Sequence, residues 1–457
     1  MGEPGNARRL FGTDGIRDIA NNGNMTPELA LKLGRAFVFF LMGKGHIHPS
    51  VAVGKDTRRS GAMLESALVA GMTSAGAKVY SLGVFPTPGV SHIVNNLKLT
   101  AGAIISASHN PAEYNGIKFL DGHGFKLTDE DESAIEVCMT DDLLESWRPV
   151  GALVGDFVEA HSYKEHYIRW LREHLDSIGR QHWPMVIDAA NGAASEFAGE
   201  LFSSWAGPVV YTGTTPDGMN INSDVGVMHM EHLTEKVREN NAYAGIAYDG
   251  DTDRVLLCDG RGRQIDGDIM LWVIGRYLAA QGTLGEGIVA TVMSNMALEE
   301  KLKELGIETF RCPVGDRYVL EKMRETGAKL GGEQSGHIIA SDYVTTGDGL
   351  FTGLLFLKAC TDLEEDISTL VDRFVRYPQV LRNLKLSNRE RIMSSPKLES
   401  AKDDAEKKLA GTGRILLRPS GTEPLLRILV EARDEGLMNS VCDDLENAIM
   451  EIGKELT

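Results

Sequence analysis

The sequence predicts an α/β protein made of three α/β blocks and a smaller α+β block at the C-terminal end. Three observations predict this. The chain has 457 residues, more than one hydrophobic core serves, so about three or four domains are expected. Strand-like and helix-like segments alternate at short spacing as far as residue 370, the pattern of α/β layers. Beyond it the rhythm changes to a few strand-like segments and two amphipathic helical stretches. The blocks are 1–152, 153–255, 256–370 and 371–457.

The elements follow in order. Thr26 and Pro27 form an N-cap and a first helical residue. Leu29, Leu33, Ala36, Phe37, Phe40 and Leu41 then recur with helical period. VAVGKD (51–56) reads as a strand, 62–76 as a helix and 78–84 as a strand. TAGAIIS (100–106) is a near-continuous apolar run, the mark of a strand buried on both faces. PMVIDAAN (184–191), AYAGIAYDG (242–250) and GIVATVM (287–293) are further strands, each followed by a helix directly or after a hairpin. The last block holds QVLRNLKLSN, a helix over 397–410, GRILLRPS, LLRILVEAR and a final helix over 435–453.

Composition narrows the partners. Charged residues make up 25% and hydrophobic residues 42%, as in folded soluble proteins. A net charge of −18 disfavours nucleic acid, whose phosphates need a basic face. No apolar run approaches the ~20 residues that span a bilayer, and the first residues carry no apolar signal core. A cytoplasmic protein is expected, without a membrane partner. The five cysteines (138, 258, 312, 360, 442) form no CxxC pair, which suggests reduced thiols.

Polar, Gly-rich segments fall where predicted strands end, the place where open α/β sheets bind ligands. In ISASHNP (105–111), Ser108 precedes His109. A hydrolase pair is disfavoured, because neighbouring side chains in extended chain diverge and no GxSxG elbow is present. A capped turn is the plainer reading. In DGDTDR (249–254), Asp249, Asp251 and Asp253 alternate and can share one side. Three such carboxylates suit Mg²⁺, and a polar hairpin tip is the alternative.

GGEQSGH (331–337) offers Glu333, Ser335 and His337 at period two, an acceptor, a hydroxyl and an imidazole of the kind sugar hydroxyls need; a plain Gly-rich loop is equally open. RPSGTEPLLR (418–427) sets Arg418, Ser420, Thr422 and Arg427 around Gly421, a phosphate-binding chemistry or a solvated face. GTDGIR (12–17), GKDTRRSG (54–61) and NGIK (115–118) each place a cation (Arg17, Lys55, Arg58, Lys118) beside Gly or Asn, and singly each reads as a surface turn. GKDTRRSG lacks the spacing of a Walker A loop. Taken together, the clusters are the parts of phosphoryl transfer to a sugar phosphate.

These strings, in this order, resemble the α-D-phosphohexomutase superfamily nearly end to end. FGTDGIR, GKDTRRSG, MSNMALE (293–299), VGDRYVLEKM (314–323) and GGEQSGH make the bacterial phosphoglucosamine mutases the most similar branch. The resemblance implies four domains around a central cleft. It implies interconversion of glucosamine 6-phosphate and glucosamine 1-phosphate through a 1,6-bisphosphate, feeding amino-sugar nucleotide synthesis. Ser108 would be the phosphoserine, and its phosphate oxygen would join Asp249, Asp251 and Asp253 on Mg²⁺. Glu333 and Ser335 would read sugar hydroxyls. Arg418, Ser420, Gly421, Thr422 and Arg427 would hold the other phosphate. Lys118, His109, His337 and Arg17 are the catalytic candidates. Sugar phosphates are the expected partners, and a homodimer is the assembly it allows.

Two positions depart from the family pattern. Thr252 stands where a second Gly is usual, and a β-branched residue is costly at positive φ. Asp18 follows Arg17 where Gly is common, and is expected to pair with Arg17. The rival readings are a phosphomannomutase or phosphoglucomutase, which Gln334 argues against, a Mg²⁺-dependent phosphatase, and a binding protein that has lost catalysis.

Overall fold

The computed structural model describes residues 10–455, apart from Thr13, Ser387, residues 420–424 and the side chains of Leu143 and Glu145. Four sheets organise them. The first contains β1 (Ile16–Ile19), β2 (Ser50–Lys55), β3 (Lys78–Val84), β4 (Ala101–Ile105), β5 (Tyr114–Leu120) and β6 (Phe157–Glu159), in the order β1-β5-β4-β2-β3-β6. β4, β2, β3 and β6 run parallel, β5 runs antiparallel to β4, and β1 pairs antiparallel with β5 at the edge. All five residues of β4 are buried, as its apolar run predicts. The helix Pro27–Gly43 starts with Thr26 accepting from the Leu29 amide at 3.3 Å.

The second sheet contains β7 (Met185–Asp188), β8 (Val209–Thr212), β9 (Ala244–Tyr248), β10 (Val255–Asp259) and β11 (Gln264–Ile265), in the order β11-β10-β9-β7-β8. The third contains β12 (Ile288–Thr291), β13 (Thr309–Cys312), β14 (Leu330–Gly332) and β15 (Ile338–Ala340), in the order β13-β12-β14-β15. The fourth is antiparallel, with β16 (Gln379–Lys385), β17 (Gly413–Pro419) and β18 (Leu425–Ala432) in the order β16-β18-β17. Thus β6 extends the first sheet to Glu159, and the β9–β11 meander carries the second to Ile265.

The chain falls into two compact units. One holds the residues up to Thr291 together with Phe310–Val371, and with them most of the first three sheets. The other joins Val292–Thr309 to the chain from Asp372 onward. The sequence reading leaves 292–309 in the third block, and some of its residues bond to the chain beyond Asp372. The Asn295 side chain donates to Tyr377 O and accepts from Tyr377 N, both at 3.0 Å. Fully buried Glu431 accepts from Met296 N at 2.6 Å and pairs with Arg414 at 2.6 Å. Among the described residues no helix is long and apolar enough to cross a membrane.

Candidate active site

Ser108 follows β4 in a turn, with φ at 51°, a left-handed value that non-glycine residues adopt rarely. Its N–H donates to Ser106 Oγ at 2.9 Å, and Ser106 Oγ donates to Asp56 at 2.6 Å. Ser108 Oγ donates to Asp249 Oδ2 at 2.6 Å and lies 3.2 Å from His109 Nδ1. The sequence expectation that His109 diverges from Ser108 therefore fails. It assumed extended chain, and the left-handed turn brings the two side chains together.

Arg254 Nη1 is 3.2 Å from the same His109 nitrogen. A guanidinium only donates, so Nδ1 is the acceptor and the ring proton is on Nε2. Burial first, then the charges of Arg254 and Arg17, push the His109 pKa down to about 4, so the ring is neutral near pH 7.

DGDTDR joins β9 to β10 as a turn rather than the extended segment that alternation suggested. Thr252 N donates to Asp249 O at 3.1 Å, and Thr252 sits at φ 66°. The backbone that favours glycine is thus kept here with a β-branched residue. Asp249, Asp251 and Asp253 are buried, with one carboxylate oxygen from each lying within 4.8 Å of the others. Asp251 Oδ2 accepts from Thr87 Oγ1 at 2.6 Å and from Lys118 Nζ at 2.9 Å, and Lys118 also lies 3.5 Å from Asp253.

Burial, then the neighbouring carboxylates, raises the Asp249 pKa well above the usual range. Burial and Asp251 likewise raise Asp253. Burial works in the same direction on Asp251, but Lys118 and the Thr87 hydroxyl outweigh it and the net shift is downward. Burial opposes the Lys118 charge, yet Asp14, Asp251 and Asp253 overcome it and hold the ammonium. Asp251 Oδ1 and Asp253 Oδ1 are buried without a hydrogen-bond partner among the described residues. Crowded, mutually repelling oxygens of this kind fit a hard divalent cation.

Lys118 in NGIK is 4% exposed and Arg58 in GKDTRRSG is 2% exposed, so neither is the surface residue that its motif alone suggests. Arg17 pairs with Asp14, which also lies 3.5 Å from Lys126. Asp18 does not pair with Arg17 as expected. Its carboxylate accepts from the Ile19 and Asn24 amides, each at 2.9 Å, and so closes its own turn.

The GGEQSGH loop turns tightly between β14 and β15, with Gly336 N donating to Glu333 O at 3.0 Å. Glu333 accepts from Gly315 N at 2.9 Å and from Ser335 Oγ at 3.2 Å. His337 is buried, and its Nε2 accepts from Gly347 N at 3.2 Å. Val255 N donates to Gly336 O at 3.2 Å, which binds this loop to the strand leaving the metal loop. Ser108, the three aspartates, Glu333 and His337 thus belong to one connected network of loops, which Lys118 joins from β5.

Arg418 and Arg427 are paired across β17 and β18, which puts them on the same face of the fourth sheet. Ser420, Gly421 and Thr422 lie outside the described residues. Sequence reasoning missed Thr87, Asp14, Lys126, Arg254 and Asn222. Arg254 closes a quoted motif and could have been assigned from it; Thr87 and Asn222 carry no local signal.

Four domain families match the chain in order. They are phosphoglucomutase/phosphomannomutase alpha/beta/alpha domain I at residues 8–145, domain II at 163–262, domain III at 266–377 and the C-terminal domain at 381–448. The phosphoglucosamine mutase of Carboxydothermus hydrogenoformans is 45% identical over 438 residues, covering 96% of this chain and 98% of that protein. That of Bacillus subtilis is 42% identical over 449 residues, covering 97% and 98%. A phosphoglucomutase/phosphomannomutase family protein from Burkholderia thailandensis has a similar crystal structure, with a TM-score of 0.80 at 25% identity over 98% of each chain. Aspergillus fumigatus N-acetylphosphoglucosamine mutase, solved with GlcNAc-6P and magnesium, shares the fold with a TM-score of 0.68 at 16% identity, covering 97% of this chain and 96% of that one. With every domain matched in order and relatives matched over nearly their whole length, the chain belongs to the phosphoglucosamine mutase branch of the phosphoglucomutase/phosphomannomutase family, a group of isomerases.

Proposed function

We propose that this chain interconverts glucosamine 6-phosphate and glucosamine 1-phosphate, with Ser108 carrying the phosphoryl group. The carrying observation is Ser108 Oγ, 2.6 Å from an aspartate of a buried three-carboxylate cluster. Asp249, Asp251 and Asp253 would hold Mg²⁺, joined by an oxygen of the phosphorylated Ser108. When bound, the ion supplies positive charge to the transferring phosphoryl group.

The residues of the chain supply the rest. In the first step a sugar hydroxyl oxygen forms a bond to phosphorus while the bond from phosphorus to Ser108 Oγ breaks, its electron pair staying on Oγ. One proton leaves the attacking hydroxyl and one arrives at Oγ, so the step is proton-neutral. The bisphosphate then turns and returns its other phosphoryl group to Ser108. In that return Ser108 Oγ bonds to phosphorus while the bond from phosphorus to the sugar oxygen breaks. The Oγ proton, directed at Asp249 Oδ2 at 2.6 Å, is released as the sugar oxygen takes one up. His109 Nδ1, occupied by Arg254, holds its neutral ring beside Oγ. Lys118, held as an ammonium between carboxylates, stabilises charge and does not accept a proton in this arrangement. Arg17 adds positive charge beside Asp14. His337 holds Gly347, while Glu333 and Ser335 read sugar hydroxyls. Arg418, Arg427, Ser420, Gly421 and Thr422 bind the non-reacting phosphate.

The test is an isomerisation assay on glucosamine 6-phosphate beside mannose and glucose 6-phosphates, comparing wild type with Ser108→Ala. Preference for the amino sugar, and loss of turnover in the variant, are expected. Faster turnover of mannose or glucose phosphate would favour the phosphomannomutase or phosphoglucomutase reading. Phosphate release without isomerisation would make the chain a phosphatase, and equal turnover by the variant would remove Ser108 from the mechanism.

A further inference from the structure

We propose that Arg58 and Asn222 are positioning residues for phosphoryl transfer that act through the backbone carbonyl of Ser108; this rests on Ser108 being the phosphoryl carrier.

Ser108 O accepts from Arg58 Nη2 and from Asn222 Nδ2, each at 2.9 Å. The same two side chains reach Asn110 O at 2.7 and 3.2 Å. Arg58 Nη1 donates to Tyr114 O at 3.0 Å and also to Pro111 O, and Nε donates to Asp56 at 2.8 Å. All five N–H groups of the guanidinium are thereby used. Arg58 has none left for a substrate phosphate, which separates it from a phosphate-binding arginine.

The two donors come from different sheets. Arg58 follows β2 of the first, and Asn222 follows β8 of the second. A third contact comes from the metal loop itself, where a Cβ on Gly250 would lie 2.5 Å from Ser108 O. The Ser108 peptide is therefore gripped by the serine loop's own domain, by the neighbouring domain and by the loop carrying the aspartates. The orientation of that peptide sets where Oγ points, and Oγ must meet phosphorus twice in each turnover, once for each end of the bisphosphate. A misplacement of about 1 Å costs about 100-fold in rate.

The experiment compares Asn222→Gly and Arg58→Lys with wild type. Asn222 has φ 58°, which glycine accepts freely, so the first variant removes the amide donor with little backbone cost. Arg58→Lys keeps a cation opposite Asp56 but has too few donors for four carbonyls. The readouts are kcat and KM for glucosamine 6-phosphate, the thermal transition, and the rate of Ser108 phosphorylation by glucose 1,6-bisphosphate, followed by intact mass. The expected result is a kcat lower by about 10- to 100-fold, with KM within about twofold and phosphorylation slowed by the same factor. Full kcat in Asn222→Gly, or a loss that falls on KM, overturns the proposal. If Arg58→Lys does not fold, Asn222→Gly decides alone. Ser108→Ala is the control. Turnover surviving there defeats the carrier reading, whereas an inactive Ser108→Ala beside a full-rate Asn222→Gly defeats only the positioning role.

Discussion

Ser108 Oγ and Asp249 Oδ2 are 2.6 Å apart although 141 positions separate them in the chain. One comes from a loop of the first sheet and the other from a loop of the second. Their meeting joins a nucleophile-bearing turn to a three-carboxylate cluster.

The cluster leads to a metal-binding prediction. Asp251 holds Lys118 at 2.9 Å and contributes a buried oxygen without a hydrogen-bond partner among the described residues. Asp251→Asn removes one charge from the cluster. Magnesium affinity, measured by titration calorimetry, is expected to fall by about tenfold or more, near 1.4 kcal/mol. Unchanged affinity would place the cation elsewhere.

Thr252 tests whether the usual glycine is needed. Its φ of 66° costs a branched residue about 1–2 kcal/mol. Thr252→Gly relieves that strain but adds about 0.5–1 kcal/mol of unfolded-state freedom and removes a buried side chain. Denaturant unfolding should place the variant within about 1 kcal/mol of wild type, with magnesium affinity within about tenfold. A larger gain in affinity would mean that Thr252 distorts the metal loop.

Asp18 is expected to matter for stability and not for turnover. It accepts two backbone amides in its own turn, while Arg17 pairs with Asp14. Asp18→Ala should lower stability by about 1 kcal/mol and leave kcat/KM within about twofold. A large loss of kcat/KM would show that Asp18 acts on Arg17 after all.

Asp348 produces a pH dependence. It caps the helix Gly349–Asp362, accepting from Phe351 N at 2.9 Å, and accepts from Tyr167 at 2.7 Å. Burial raises its pKa from 3.8 to about 7. The folded state therefore keeps a proton that the unfolded state releases above about pH 4. Its contribution is greatest below pH 4, is lost as pH rises toward 7 and is level above that, a change on the order of 4 kcal/mol. Asn is also a good cap, so Asp348→Asn should flatten that part of the stability–pH curve and stabilise the protein at pH 8. An unchanged slope between pH 4 and 7 would assign the proton elsewhere.

Much of the fold is legible in local pattern. The buried run 100–106 became β4, the Thr26–Pro27 signal became a capped helix, and the final amphipathic stretch became the helix Glu435–Glu455. These succeed because period and capping depend on residues within a few positions of one another. The residues around Ser108, the aspartates, Glu333 and His337 were legible as motifs for the same reason.

The sequence by itself determined the α/β class, strands such as β4, β7 and β9, the motifs and the family. Only the tertiary structure decided that His109 reaches Ser108, that Asp18 turns away from Arg17, that Arg58 is buried with all its donors used, and that Asn295 and Met296 bond to Tyr377 and Glu431. Each of these depends on a backbone angle or on a partner far along the chain. Neither leaves a trace in local periodicity, because a left-handed φ at one serine or a carbonyl from another loop changes no residue pattern around it.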